Sequence, residues 1–235
     1  MKVVLISPIR NVTASNFRGL GAALARDGHD VSQIFLPDIA RDRTGKARGG
    51  ELPYETPYPA PLVAAVAAAC DGAGLVGMTL MTNHFERMAD LTARLRHSVA
   101  APVVWGGIHA TVKPEECLRF ADAVALGEAD ETVVELARRV EEGGDEWRRT
   151  PGFWVRYNGD LIKNDVVAPP PDLGALPLPL FQPGKDLIQD REEGRLVPLT
   201  DELLAVYTDL IAPAANAGIA GPLHMTAASR GCAHA

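Results

Sequence analysis

The sequence predicts an α/β protein: a five-stranded parallel sheet of the flavodoxin-like (Rossmann-like) type with helices on both faces, followed by a β-hairpin and a proline-rich linker. Over residues 1–145, short apolar runs typical of buried strands alternate five times with amphipathic helical patterns. Five strand–helix units in a row require crossover connections, and right-handed crossovers leave few possible strand orders. The pattern changes after Gly143 and Gly144, so we expect the sheet domain to end there.

The five predicted strands are apolar runs that helices can cover on both sides. They are expected at residues 3–6, 31–36, 75–81, 103–105 and 123–126. The residues that favour helix starts between them are Asn16 as an N-cap, Pro61 in a first turn, Asn83 with Glu86 as a capping box, and Pro114 before two glutamates. A last helix follows the fifth strand, and its apolar face consists of Val133, Leu136, Ala137 and Val140.

Residues 146–190 and 191–235 are expected to form two further segments. Strands at 153–157 and 161–167 flank Asn158-Gly159, which is typical of a tight primed hairpin turn. Dense proline from Pro169 to Pro183 predicts a stiff, extended linker that no central strand would tolerate. One more amphipathic helix is expected at 199–212, before a tail rich in alanine and glycine.

The composition indicates a globular protein with an acidic balance. Of the 235 residues 47% are apolar, which disfavours disorder, and the net charge of −7 disfavours a nucleic-acid partner. No run of 18 apolar residues occurs, so no membrane span is expected. The three cysteines, Cys70, Cys117 and Cys232, are odd in number and far apart, which disfavours a disulfide framework and makes the cytoplasm the expected compartment.

Ligands of parallel α/β sheets bind beyond the carboxyl ends of the strands. The loops to consider are therefore residues 7–16, 37–60, 79–84, 106–113 and 127–131. Gly106 and Gly107 would let a broad ligand lie directly on the backbone, although a tight strand-to-helix turn explains them as well. The hydroxyls near Thr79 and the acids after Gly127 also have two possible roles. They can contact a ligand, or they can cap the helix that follows.

The sequence gives less support for a receiver-domain acidic cluster, a dinucleotide-binding loop or a histidine metal site. The first loop lacks the acidic cluster that a receiver domain needs, and Gly19 to Gly21 lies inside a helical pattern rather than at a strand end, unlike a dinucleotide-binding loop. His84 and His109 follow strands, but a lone histidine is more often a hydrogen-bonding group than a metal ligand. The second loop holds a basic group, typical of a solvated loop but able to meet anionic ligand groups: Arg41, Arg43, Lys46 and Arg48.

Taken together, the loops resemble the cobalamin-binding domain of cobalamin-dependent radical S-adenosylmethionine enzymes over residues 1–145. The motifs that carry the resemblance are Gly77-x-Thr79 with Met81-Thr82, Gly106-Gly107-x-His109-Ala110-Thr111, Pro114-Glu115-Glu116, and Gly127-Glu128 followed by Glu131-Thr132. The hairpin and Leu176-Pro177-Leu178-Pro179 resemble the segment that precedes the catalytic barrel of those enzymes. Ser229-Arg230-Gly231-Cys232 looks like the start of their Cys-x-x-x-Cys-x-x-Cys loop, which holds a 4Fe-4S cluster.

The resemblance implies that cobalamin lies flat on the carboxyl edge of the sheet, with its nucleotide tail between the sheet and a flanking helix. The implied contacts are Ser7, Pro8, Arg10 and Asn11 in the first loop, Thr79, Met81, Thr82 and Asn83 in the third, Gly106, Gly107, His109, Ala110 and Thr111 in the fourth, and Gly127 and Glu128 in the fifth. Another cobalamin family carries Asp-x-His-x-x-Gly after the first strand. Since this loop has no histidine, it provides no imidazole for cobalt.

For the whole enzyme, the resemblance implies a methyltransferase that also uses S-adenosylmethionine and the 4Fe-4S cluster, acting on a small molecule or peptide held by a C-terminal barrel. Cys232 would bind the cluster only in a longer chain, because three thiolates are needed and the sequence stops one residue before the second. We therefore expect the front part of a longer, non-membrane enzyme. A stand-alone cobalamin carrier or sensor is the alternative. A flavin or nucleotide site is less favoured, since no phosphate loop follows Ile6.

Overall fold

The computed structural model describes residues 1–9, 12–37, 56–170, 172–190 and 195–208. The strands are β1 Lys2–Ser7, β2 Asp30–Phe35, β3 Leu75–Thr79, β4 Val103–Gly106, β5 Ala123–Ala125, β6 Phe153–Tyr157, β7 Asp160–Lys163, β8 Leu187–Asp190 and β9 Arg195–Pro198. The α-helices are α1 Ser15–Arg26, α2 Ala60–Ala69, α3 Phe85–Leu95, α4 Ile108–Val112, α5 Pro114–Cys117, α6 Thr132–Glu142 and α7 Asp201–Thr208.

All the described strands form one sheet, in the order β7-β6-β5-β4-β3-β1-β2-β8-β9. The five predicted strands make up its centre and run parallel to one another, in the flavodoxin-like order. The predicted α/β class with a parallel-dominated sheet is confirmed, but the expected number of five strands is wrong. Over the residues described, the sheet has nine strands, because both of its edges are extended by later parts of the chain.

The additional strands cover the open edges of the parallel centre. The predicted hairpin does not stand apart, since β6 pairs antiparallel with β5 and β7 with β6. At the other edge, β8 pairs parallel with β2 and β9 returns antiparallel to it. An uncovered edge leaves backbone N–H and C=O groups unpaired, so added strands satisfy them. The division of the chain at residues 145 and 190 stays a prediction.

Helices pack on both faces of the sheet, as predicted. The even positions of β1, such as Val4 and Ile6, face a core shared with α2 and α3. The odd positions, such as Val3 and Leu5, face a core shared with α1 and α6. Within the described ranges, no helix is long and apolar enough to cross a bilayer.

Two predicted helix caps are wrong. The helix α1 begins at Ser15, so Asn16 lies inside it, and the N-cap Ala14 forms no side-chain cap. A 3₁₀ turn over Thr82–His84 precedes α3, and no side chain caps this helix, so Asn83 and Glu86 do not form a capping box. Pro61 and Pro114 do lie in the first turns of α2 and α5, where the missing N–H of proline costs no hydrogen bond.

The hairpin turn has the predicted geometry. Asn158 and Gly159 have φ values of 50° and 88°, and a type I′ turn, one of the two primed types, requires positive φ at both central residues. The strand β7 ends at Lys163, earlier than the predicted residue 167. The sequence Asn158-Gly159 therefore fixes the register of this edge of the sheet.

The proline-rich segment is docked on the domain through a buried ion pair. Arg18 of α1 is 0% exposed and donates from Nη1 to Asp186 Oδ2 at 2.8 Å and to the Leu180 carbonyl at 2.7 Å. Gln33 of β2 donates to the same carbonyl at 3.1 Å. The guanidinium also lies 4.2 Å from the ring centroid of Phe181. These contacts hold the segment that leads into β8, so it is not a free spacer.

The two described cysteines are core residues, as predicted. Cys70 and Cys117 are free and buried, and burial raises the pKa of their thiols to about 11 and about 12. Thiols with such pKa values are protonated at neutral pH and poor metal ligands. Among the described residues, no group of three His, Cys, Asp or Glu side chains is placed to hold a metal ion. Cys232 lies outside the described residues.

Candidate functional site at the carboxyl edge of the sheet

The strand-end loops that follow β3 and β4 meet at the carboxyl edge of the sheet. Thr79 is paired with Gly106 in the parallel ladder, and the Leu80 N–H donates to the Gly106 carbonyl at 3.1 Å. Thr111 extends the contact to the loop after β5, because its hydroxyl accepts from the Gly127 N–H at 3.1 Å and donates to the Gly107 carbonyl at 3.2 Å. Three of the predicted loops therefore form one connected surface.

The predicted site residues differ in how far they reach that surface. Those that are exposed are Met81, Thr82, Asn83, Gly107 and Gly127. Those that are half-buried are Thr79, Gly106, Thr111 and Glu128. These nine residues are available for contact with a ligand that lies across the edge.

The remaining predicted residues do not present their side chains at the surface. Ser7, Pro8, His109 and Ala110 are buried. The Ser7 hydroxyl accepts from the Ile9 N–H at 3.3 Å, so it shapes the turn after β1. Arg10 and Asn11 lie outside the described residues, as do Arg41, Arg43, Lys46 and Arg48.

Two exposed apolar residues at this edge were not predicted. Ile108 is 56% exposed and Val112 is 58% exposed, and their spacing of four places them on one face of α4. Met81, on the adjoining loop, is 44% exposed. We call Met81, Ile108 and Val112 the apolar rim. In the sequence, the apolar rim is indicated by the spacing of Ile108 and Val112, which are four residues apart. His109 and Ala110 lie between them and turn to the core.

The neighbouring loop by itself requires a glycine at residue 107. Gly107 has φ 95° and ψ −178°, a conformation that only glycine adopts readily. A Cβ at this position would also lie 2.6 Å from the Leu80 carbonyl oxygen. Gly127 differs, since φ is 70° but no atom lies within 4 Å of its ideal Cβ, so the space beside it is open. The open space is therefore at Gly127.

Replacing Gly107 with alanine is expected to destabilise the fold by at least about 2 kcal/mol, through backbone strain and the clash with Leu80. Urea unfolding of the cofactor-free protein measures this loss. Gly106→Ala is the matched control, because its Cβ would meet only the Ala125 Cβ, at an ordinary 3.7 Å. Equal stability of the two variants would contradict this assignment.

No imidazole from the described strand-end loops points out of the rim. His84 and His109 are 3% and 4% exposed. The described parts of the first loop, residues 7–9 and 12–16, contain no histidine. The surface therefore offers apolar side chains, hydroxyls, one amide, the Glu128 carboxylate and bare backbone, which suits a broad ligand with apolar faces and amide groups.

Comparison with known proteins identifies relatives of this fold. A search of curated proteins found no match. Among solved structures, the chain is similar to the radical S-adenosylmethionine methyltransferase TsrM from Kitasatospora setae with cobalamin and a [4Fe-4S] cluster bound, at 19% identity and a TM-score of 0.54, covering 75% of this chain and 31% of that one. The same enzyme with tryptophan and aza-SAM bound gives 19% identity and a TM-score of 0.52, over 70% of this chain and 30% of that one.

A weaker likeness, with a TM-score of 0.48, is to OxsB, a cobalamin-dependent S-adenosylmethionine radical enzyme with aqua-cobalamin bound, at 12% identity over 71% of this chain and 22% of that one. At these identities the TsrM likeness shows the fold, and the chain spans about a third of TsrM. The model of the B12 binding domain matches residues 1–137, more than half of the chain. The chain therefore belongs to the B12-binding domain family.

Proposed function

We propose that this chain binds cobalamin at the carboxyl edge of its sheet, with the corrin ring against the apolar rim. The observation that carries the proposal is the exposure of Met81, Ile108 and Val112 beside the open backbone of Gly127. Large apolar side chains exposed together mark a binding surface. Three of the six large apolar side chains that are exposed in the described ranges belong to this rim.

The polar groups of the rim fit the periphery of the same ligand. A corrin carries amide side chains that need hydrogen-bond partners, and Thr82 and Asn83 are exposed donors and acceptors beside Met81. The nucleotide tail would lie near Thr79 and Gly106, where the half-buried loops after β3 and β4 adjoin. Glu128 would border the far side of the ring.

The residues of this chain would bind and orient the cofactor and keep water from one of its faces. Because His84 and His109 are buried and the described part of the first loop has no histidine, that face receives no imidazole from these positions. When bound, cobalamin would supply a methyl group for transfer. The chain's own contribution would therefore be apolar contact together with hydroxyl and amide hydrogen bonds, rather than an imidazole from His84 or His109.

For the whole protein, we propose a cobalamin-dependent radical S-adenosylmethionine methyltransferase. The support is the B12-binding family and the fold shared with TsrM, of which this chain spans about a third. The 4Fe-4S cluster, with Cys232 as one ligand, S-adenosylmethionine, and the small-molecule or peptide substrate would be held by the barrel that follows in such an enzyme.

Mixing the purified chain with hydroxocobalamin, removing the free cofactor on a desalting column and recording the visible spectrum tests the proposal. We expect about one equivalent to be retained, with the spectrum of cobalamin whose dimethylbenzimidazole base is off cobalt. An unrelated flavodoxin-like protein treated in the same way controls for trapped cofactor. A colourless protein fraction would refute cobalamin binding.

A further inference from the structure

His109 lies beneath the rim, in contact with three other elements. Its Nδ1 is 3.2 Å from the Thr82 hydroxyl, and its ring centroid lies 4.8 Å from that of Phe85 in α3. On the opposite side, Nε2 lies 3.7 Å from Glu116 Oε2 of α5. His109 is only 4% exposed, whereas Thr82 is exposed. The imidazole therefore supports the loop after β3 from below.

The charges around the ring determine which nitrogen carries the proton. A neutral imidazole has one N–H donor and one acceptor. If Nδ1 carried the proton, the lone pair of Nε2 would face the Glu116 carboxylate, and the two would repel. With the proton on Nε2, the N–H lies near Glu116 Oε2, where 3.7 Å permits a charge attraction without a hydrogen bond, and Nδ1 accepts from the Thr82 hydroxyl. The second arrangement is favoured because it is attractive on both sides.

This arrangement fixes the direction of the Thr82 hydroxyl. Its proton is used inward, toward Nδ1, so its oxygen keeps lone pairs that can accept a hydrogen bond from a ligand above the exposed Thr82. Thr82 then presents a hydrogen-bond acceptor to anything that covers the rim. The corrin ring carries primary amides, and their N–H groups are donors that this oxygen can accept.

We propose that His109 is a positioning residue that makes Thr82 an acceptor for an amide N–H of cobalamin, without itself touching the cofactor. The proposal rests on the proposed function, since it names the contact through which the rim recognises the corrin periphery. It gives the histidine a role that an apolar core residue could not fill, because leucine offers no acceptor to the Thr82 hydroxyl. It also predicts that the two residues act as a unit.

Dissociation constants for hydroxocobalamin test whether His109 and Thr82 act together. We expect His109→Leu and Thr82→Val each to raise Kd about tenfold, and the double variant to raise it no more than about twentyfold, since either change removes the same contact. His109→Asn, whose amide oxygen can take the place of Nδ1, is expected to stay within about threefold of wild type. An additive double variant, or equal losses for asparagine and leucine, would overturn the proposal. Circular dichroism confirms that each variant is folded.

A measurement on the cofactor-free protein separates this proposal from the proposed function. Long-range ¹H–¹⁵N NMR correlations distinguish the two imidazole tautomers, and we expect His109 to carry its proton on Nε2. A proton on Nδ1 would overturn the inference even if cobalamin binds. Failure of the wild-type chain to retain cobalamin, with the Nε2–H tautomer present, would instead refute the proposed function.

Discussion

Replacing Met81 and Ile108 together by aspartate is expected to weaken hydroxocobalamin binding about a hundredfold. Each change removes apolar contact with the corrin and forces a carboxylate to lose water when the ring covers it. A cost of about 1.4 kcal/mol at each site corresponds to a tenfold loss. Both side chains are exposed in the cofactor-free protein, at 44% and 56%, so the fold is expected to stay intact. Equilibrium titration followed by visible absorption measures the effect.

The matched control for this variant is Leu178→Asp. Leu178 is 88% exposed and lies on the proline-rich segment that packs on α1, outside the strand-end loops. It receives the same chemical change as the rim residues, and we expect its Kd to match wild type. A tenfold loss at Leu178 would mean that the carboxylates act through net charge, because Leu178→Asp adds one charge and the rim variant adds two. Full affinity in the rim variant would place the cofactor elsewhere.

Replacing Asp186 with asparagine is expected to cost about 3–5 kcal/mol of the free energy of unfolding. Arg18 is 0% exposed, and without Asp186 its guanidinium keeps a buried charge with no counter-charge. Burial is the main cause that lowers the pKa of Arg18, whereas its hydrogen bond to Asp186 opposes that shift. The loss should appear as a lower midpoint in urea unfolding followed by circular dichroism.

Two companion variants separate the buried pair from ordinary surface charge. Lys185→Ala removes the neighbouring ion pair with Asp30, whose partners are exposed, and we expect little change. The double variant Arg18→Met with Asp186→Leu removes both buried charges and is expected to recover much of the loss. An Asp186→Asn protein as stable as Lys185→Ala would show that the buried pair does not secure the proline-rich segment.

The centre of the fold could be predicted because its signals are local. Runs such as Val3 to Ile6 are apolar on both faces, and the order of the parallel strands follows from the handedness of the crossovers. The edge strand β8 could not be predicted in the same way. Only its first two residues, Leu187 and Ile188, pair with β2, and that pairing depends on an open edge formed by residues more than 150 positions earlier.

The burial of Arg18 could not be predicted from the sequence for a related reason. Arg18 follows Phe17 in an amphipathic helix, where an arginine is usually solvated. Its burial depends on Asp186 and on the carbonyl of Leu180, both far away in the sequence. No local pattern around Arg18 indicates those partners.

In the candidate site, the location could be predicted from the sequence, but the direction of each side chain could not. Its location at the strand ends follows from topology, and Thr82, Asn83 and Gly127 are exposed at the predicted edge. Which way each side chain turns depends on tertiary contacts: His109 packs on Phe85 and points inward, whereas Ile108, its neighbour in sequence, points out. The sequence does hold one signal for the exposed face of α4. Ile108 and Val112 are four residues apart, so they share one side of a helix, and His109 and Ala110 between them turn to the core.

Amide hydrogen exchange with and without cobalamin tests the central claim most directly. If the corrin covers the carboxyl edge, exchange should slow at residues 81–83, 107–112 and 127–128, and stay unchanged at the opposite edge, for example around Gly28 and Gly72. Protection confined to the opposite edge or to α7, with these three loops unaffected, would contradict the account.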